Sequence, residues 1–169
     1  LAGQLPPATG RCVRSGSVCY LAQQVTPAPE ACVASLAGVQ DALDALARIE
    51  AGSIATEDFN VLGDRWDIGQ RLRQELERNG LGHLDAATPA RALSGGEAMR
   101  VALIGAWLSE ADFLILDEPS NHLDRAGRQA LIEQLRRWPR GLIVVSHDRQ
   151  LLASMARIAE LSALGLRSY

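Results

Sequence analysis

Two acids stand side by side in "FLILDEPSNHLD", residues 113–124, directly after four bulky apolar residues. Like charges this close oppose each other, and an apolar neighbourhood resists their desolvation. A cation would compensate them. In phosphoryl-transfer sites an acid at the end of an apolar strand helps to hold Mg²⁺, commonly through water. The next acid can orient or deprotonate the attacking water. On that logic Asp117 serves a metal and Glu118 serves a water. The plain alternative is a strand end turning into solvent. The apolar run before the pair and Pro119 after it weigh toward chemistry.

A second candidate is "LSGGE", residues 93–97. Ser94 and Glu97 have the S-x-x-E spacing of a capping box, worth about 1 kcal/mol. Capping accounts for those two residues but not for Gly95 and Gly96, which cost roughly 1 kcal/mol each against alanine inside a helix. Bare backbone N–H groups at a helix start form an anion site, and glycines admit a phosphate closely. His147 follows the apolar "LIVVS" segment, where an imidazole could sense or polarise a phosphate. Asp124 suits a helix N-cap by itself. His83 and His122 lack partners at metal-ligand spacing, and Gln23 and Gln24 carry no signal alone. Arg125, Arg128, Arg136, Arg137 and Arg140 read as a solvated helix face, with an RNA contact as the weaker option.

The elements that must position these residues divide in two. Helix-forming sequence extends from about residue 30 to 50, with a break expected at Gly38, and from about 56 to 79, where Ile68, Leu72 and Leu76 form one apolar stripe. Pro29 and Glu30 suit the start of the first helix, and Leu1-Ala2 before Gly3 could be the tail of another. Two short strands are expected around Gly16. After residue 93 the pattern changes to apolar runs at 113–116 and 142–145, separated by an amphipathic helix at 125–137, with an alternating strand-like segment near the end. Such runs between helices indicate a parallel sheet covered on both faces. Ligands in open α/β sheets bind beyond the carboxyl ends of strands. Neighbouring strands would therefore bring Asp117-Glu118 and Ser146-His147-Asp148 to one rim.

Bulk properties set limits. The 169 residues suit one domain, and 47% are hydrophobic. A net charge of −3 argues against chain-wide attraction to nucleic acid or anionic membrane. Three scattered cysteines, Cys12, Cys19 and Cys32, fit reduced thiols better than a disulfide framework or zinc site. No apolar run is long enough to cross a bilayer. All 17 basic residues are arginine, so the chain has no lysine.

The ordered set "LSGGE", "FLILDEPSNHLD" and "IVVSHDRQLL" resembles the nucleotide-binding cassette of ABC ATPases, and "DEPSNHLD" is similar to the "DEPTNHLD" of the ABC-F group, with Ser120 for threonine. The resemblance covers nearly the whole chain, including "YLAQQ" at 20–24. It implies an α/β fold: a partial P-loop NTPase-type cassette, with a parallel sheet core and a helical subdomain at about 25–92. Signature, Walker B, D-loop and switch-histidine segments would follow at 93–169. It implies ATP and Mg²⁺ as cofactors. Asp117 would be the Walker B acid for the metal, Glu118 the catalytic glutamate and His147 the switch histidine. Gln23 would be the Q-loop glutamine near metal and water. Ser94, Gly95, Gly96 and Glu97 would contact ATP held by an opposing cassette, and residues 121–124, with Asp124, would form the D-loop between cassettes. Expected partners are a second cassette, in the same parent chain, and the ribosome or tRNA, with a cytoplasmic setting and no membrane insertion. The family's G-x-x-x-x-G-K-[ST] loop is absent, and residues 10–17 offer two glycines at the wrong spacing and no lysine. The expectation is a fragment starting after that loop, inactive alone; the "GLRSY" ending leans toward a first cassette. A transporter motor subunit and a non-catalytic binding module are the rival expectations.

Overall fold

The apolar run before the paired acids forms the middle strand of a three-stranded parallel sheet. Strands β1 (Val18–Leu21), β2 (Phe113–Asp117) and β3 (Gly141–Val145) stand in the order β1-β2-β3 in this computed structural model. It describes residue 3 and residues 8–13, 15–23, 28–121, 123–162 and 165–169. Leu21 lies opposite Leu116, Leu116 opposite Val144, and Asp117 opposite Val145. The two apolar strands are therefore neighbours, and their polar continuations leave along one rim. A separate antiparallel hairpin, β4 (Ala159–Ser162) with β5 (Gly165–Ser168), follows.

Parallel strands need crossover connections, and helices supply them. Between β1 and β2 come α1 (Val33–Leu36), α2 (Gln40–Glu50), α3 (Thr56–Leu62), α4 (Ile68–Arg78), a 3₁₀ turn (Ala90–Ala92) and α5 (Gly95–Leu108). Then α6 (Arg125–Arg136) links β2 to β3, and α7 (Arg149–Leu152) follows β3. The break expected at Gly38 is present: the chain turns there with φ +65°. The expected stripe is also present, since Ile68, Leu72 and Leu76 are each 1% exposed or less.

Several expectations need correcting. The first helix starts at Val33 rather than near Glu30, because the Val33 and Ala34 N–H groups bond the Thr88 and Ala86 carbonyls, 2.9 and 3.0 Å away. That distant pairing satisfies amides that an N-terminal extension would otherwise have engaged. The helical stretch at 56–79 is two helices, divided where Gly63 adopts φ +56°. Among the described residues no strand precedes Gly16. Leu1 and Ala2, with Gln24 and His122, lie outside the described residues.

One helix organises the core. In α5, Val101, Ile104 and Leu108 face a cluster built from α1, α2 and α4, including Val33, Ala42, Leu72 and Leu76. Met99, Leu103 and Ala106 face the sheet side, with Leu114, Leu116, Leu131 and Leu135. A helix apolar on both sides belongs between two packed layers. Gly105 makes the approach possible: a Cβ there would lie 2.7 Å from the Cα of Ala37.

Among the described residues, helices pack against one face of the sheet. Cys19 and Leu21, Leu114 and Leu116, and Leu142 and Val144 share the covered face. On the other, Phe113 is 46% and Val145 53% exposed. Cys12, Val13, Ser15 and Gly16 lie over part of it, leaving an apolar hollow of about 190 Å³ against Val18, Phe113, Ile115 and Ile143. The expectation of two covered faces is thus met on one.

Candidate functional site

Glu118 is the centre of the rim. Its N–H bonds the Val145 carbonyl at 2.8 Å, carrying the β2–β3 ladder one step past Asp117. Its φ is +47°, in the left-handed region. Such a conformation costs a non-glycine residue of order 1–3 kcal/mol and persists only where the surroundings enforce it. The turn swings the carboxylate toward the end of β3. There Oε2 accepts from the Ser146 hydroxyl and from the His147 N–H, each at 3.4 Å, and Oε1 lies 3.5 Å from His147 Nε2. The Glu118 side chain is 12% exposed and that of His147 99%. The arrangement is a fixed carboxylate beside a solvent-facing imidazole.

Asp117 sits one residue earlier, at the end of β2. The Tyr20 hydroxyl, from β1, donates to its Oδ2 at 3.3 Å. Desolvation first, then the Asp117 charge and this hydrogen bond, push the Tyr20 hydroxyl above its ordinary pKa. Magnesium usually keeps several waters and is held by one or two carboxylates plus substrate phosphates rather than by an all-protein cage. The residues present fit that mode in that Asp117 offers a carboxylate at the rim. Gln23 is exposed just beyond β1, and among the described residues no hydrogen bond joins it to either acid.

Ser94, Gly95, Gly96 and Glu97 open α5. The capping box forms as its spacing requires: Glu97 Oε2 accepts from the Ser94 N–H at 2.8 Å and hydroxyl at 2.7 Å, and the Glu97 N–H donates to Ser94 Oγ at 3.3 Å. The Ser94 N–H and hydroxyl, then His83, hold the Glu97 carboxyl below the usual range. Asp124 is the N-cap of α6, accepting from the Gly127 N–H at 2.7 Å. These two helix starts face a shared groove of about 620 Å³, with residues 94–97 on one side and Leu123, Asp124 and Gly127 on the other. Asp117, Glu118 and His147 do not line it. The candidate residues therefore form two groups, one around Glu118 and one along this groove.

Tyr20, His83 and Arg128 contribute with little or no sequence signal, and Ser146 stood on the expected rim without a role. Tyr20 meets Asp117 across 97 positions of sequence, and Ser146 reaches Glu118 across 28. His83, read from its spacing as no ligand, pairs with Glu97 at 3.1 Å. Arg128 does not belong to the solvated arginine face: it turns toward the Leu123 carbonyl and Asp148. A basic residue four positions after an N-cap aspartate is the one faint clue, because its side chain points back over the first turn.

Comparison with known proteins agrees with this geometry. Residues 2–121 match the model of the ABC transporter family. YdiF of Bacillus subtilis (strain 168) is 39% identical over 120 residues, 68% of this chain and 19% of YdiF. The energy-dependent translational throttle protein EttA of Mycobacterium tuberculosis (strain ATCC 25618 / H37Rv) is 42% identical over 93 residues, 55% of this chain and 16% of EttA. The chain thus spans less than a fifth of these curated relatives. Among solved structures, the archaeal ribosome recycling factor aABCE1, in complex with the ribosomal stalk protein aP1, superposes with a TM-score of 0.65 at 25% identity over 99% of this chain and 30% of that one. With the sheet, its rim and the family match in agreement, the chain belongs to the ABC transporter family.

Proposed function

We propose that this chain carries the metal and water side of an ATP-hydrolysing site, together with the surface that meets nucleotide held by a second cassette, in a translation-associated ATPase of the ABC-F group. The observation that carries this reading is the anchoring of Glu118. Its strained backbone and two donors on Oε2 leave Oε1 directed toward His147. A carboxylate so held can align a water and take its proton as the water oxygen attacks the terminal phosphorus and the bridging oxygen departs. His147 is placed to donate to a phosphate oxygen while staying within reach of Glu118. Asp117, steadied by Tyr20, would hold Mg²⁺, which neutralises phosphate charge when bound.

The groove between residues 94–97 and Asp124 supports the second half of the reading. The Gly95-Gly96 pair that opens α5 on one wall of the groove suits close approach of an anion brought by a partner. The translational name of EttA and the ribosomal name of aABCE1 support a role in translation, with the ribosome or tRNA as partner and a cytoplasmic setting. No helix among the described residues is long and apolar enough to cross a membrane.

The reading requires a lysine-bearing glycine loop from outside these 169 residues, since the chain has no lysine. Residues 1–169 alone are expected neither to bind ATP tightly nor to turn it over. Isothermal calorimetry checks this, and dissociation constants in the nanomolar-to-micromolar range would sink it. For the complete protein the test is phosphate release with and without Glu118→Gln. Loss of turnover with ATP still bound is the expected result; unchanged turnover would remove Glu118 from the role.

A further inference from the structure

We infer that Arg128 is a positioning residue: its guanidinium ties the Leu123 carbonyl to Asp148 and thereby fixes the 146–148 segment that orients Glu118. This rests on the reading of Glu118 as the water-orienting carboxylate.

The connections form one chain. Arg128 lies in the first turns of α6, and its Nη2 donates to the Leu123 carbonyl at 3.3 Å. Its Nη1 lies 3.5 Å from Asp148 Oδ2. Asp148 uses its other oxygen, Oδ1, to cap α7, accepting from the Gln150 and Leu151 N–H groups at 2.8 and 3.2 Å. Its own N–H donates to Ser146 Oγ at 3.1 Å. The Ser146 hydroxyl and His147 N–H are the two donors to Glu118 Oε2. Asp148 is thus divided between α7, through one oxygen, and Arg128, through the other.

Three observations separate this from a solvated surface arginine. Arg128 is half-buried, whereas Arg125 and Arg136 on the same helix are exposed. Its Nε is buried without a hydrogen-bond partner. A buried unpaired donor is unfavourable, so the side chain is retained there by what its two terminal nitrogens hold. And those nitrogens span two separate loops, for which a planar fork is suited and a single ammonium is not. Leu123 borders the groove containing Asp124, and Asp148 adjoins His147. Arg128 therefore joins the groove that would meet a partner cassette to the carboxylate that would act on water.

The test uses the complete protein with Arg128→Gln, Arg128→Lys, Asp148→Asn and the double variant Arg128→Gln/Asp148→Asn. With Arg128→Gln, kcat for ATP hydrolysis is expected to fall roughly tenfold or more, the scale of a misplaced reactive group, with KM within about twofold. The double variant should be no slower than the slower single one, because both break one linkage. Arg128→Lys should recover only part of the rate. Hydrogen exchange provides the second arm, read without ATP. The amides of His147 and Asp148 should exchange about tenfold faster in Arg128→Gln, while Leu131 and Ile132 of α6 stay unchanged. Unchanged exchange at 147 and 148, or additive losses of kcat, would overturn the proposal. The arms also separate two failures: full turnover in Glu118→Gln rejects the role of Glu118, whereas the exchange result alone decides whether Arg128 fixes the segment.

Discussion

The two sides of α5 are built to different degrees of closure. On one side α1, α2 and α4 enclose a cluster in which Val33, Ile68, Leu72, Leu76, Val101 and Ile104 are all 1% exposed or less. On the other side the sheet buries one face and leaves the second to a loop and solvent. The acids, Ser146 and His147 all sit at the rim of the open-faced half. Glu118 holds its left-handed φ there, although Glu110, just after α5 and away from the rim, adopts one too. On the proposed reading the difference is a division of labour: the closed half is built for rigidity, and the open-faced half holds the candidate acids where a substrate and a partner would reach them.

The largest test of that division is Glu118→Gln in the complete protein. Removing a general base is expected to slow hydrolysis by about 10²–10⁴-fold, measured as phosphate release. The isosteric amide keeps the volume, so the thermal midpoint should barely move. A large drop in the midpoint would mean that the rim is structural as well.

Next comes a matched pair of truncations. Leu72→Ala, in the closed cluster, should destabilise the chain by about 2–5 kcal/mol in urea unfolding. Ile143→Ala, bordering the hollow on the open face, should cost about 1 kcal/mol, because a half-buried side chain loses less transfer energy and leaves a smaller new cavity. Equal losses would erase the contrast between the halves. Gly105→Ala tests their joint. The added methyl meets the Ala37 backbone rather than a flexible side chain, so it must push α5 from the α1–α2 turn, at an expected cost of about 1–3 kcal/mol. Urea midpoints read all three.

How much of this was legible in the sequence differs between the halves in the same way. The 113–116 and 142–145 runs, the box at Ser94 and Glu97 and the cap at Asp124 are local patterns, and the structure forms each of them. An apolar run looks alike whether one face of its strand is covered or both, so the open face left no trace. The start of α1 depends on carbonyls at 86 and 88, more than fifty positions away. Tyr20 with Asp117 and Arg128 with Asp148 are likewise products of strand order, which spacing along the chain does not encode. Periodicity found the elements; the contacts that orient the candidate site arise between them.

The smallest expected effect is a pH dependence belonging to the helical half. Asp58, on α3, accepts from Arg48 Nε at 2.8 Å and from the Ser53 hydroxyl at 2.6 Å. Arg48 first, then Ser53, lower its carboxyl below the ordinary value. Folding therefore favours the ionised form. The resulting stability is complete above the unfolded carboxyl pKa of about 3.9 and is lost as pH falls through the lower folded value. The Arg48 side chain is 55% exposed, so solvent and salt screen the pair and the effect is modest. In urea unfolding, the stability gap between wild type and Asp58→Asn should hold from pH 7 to about 5, then narrow toward pH 3. A gap constant over that range would show that Asp58 ionisation is not linked to folding. A narrowing that survives 1 M salt unchanged would place the pair deeper than its exposed arginine allows.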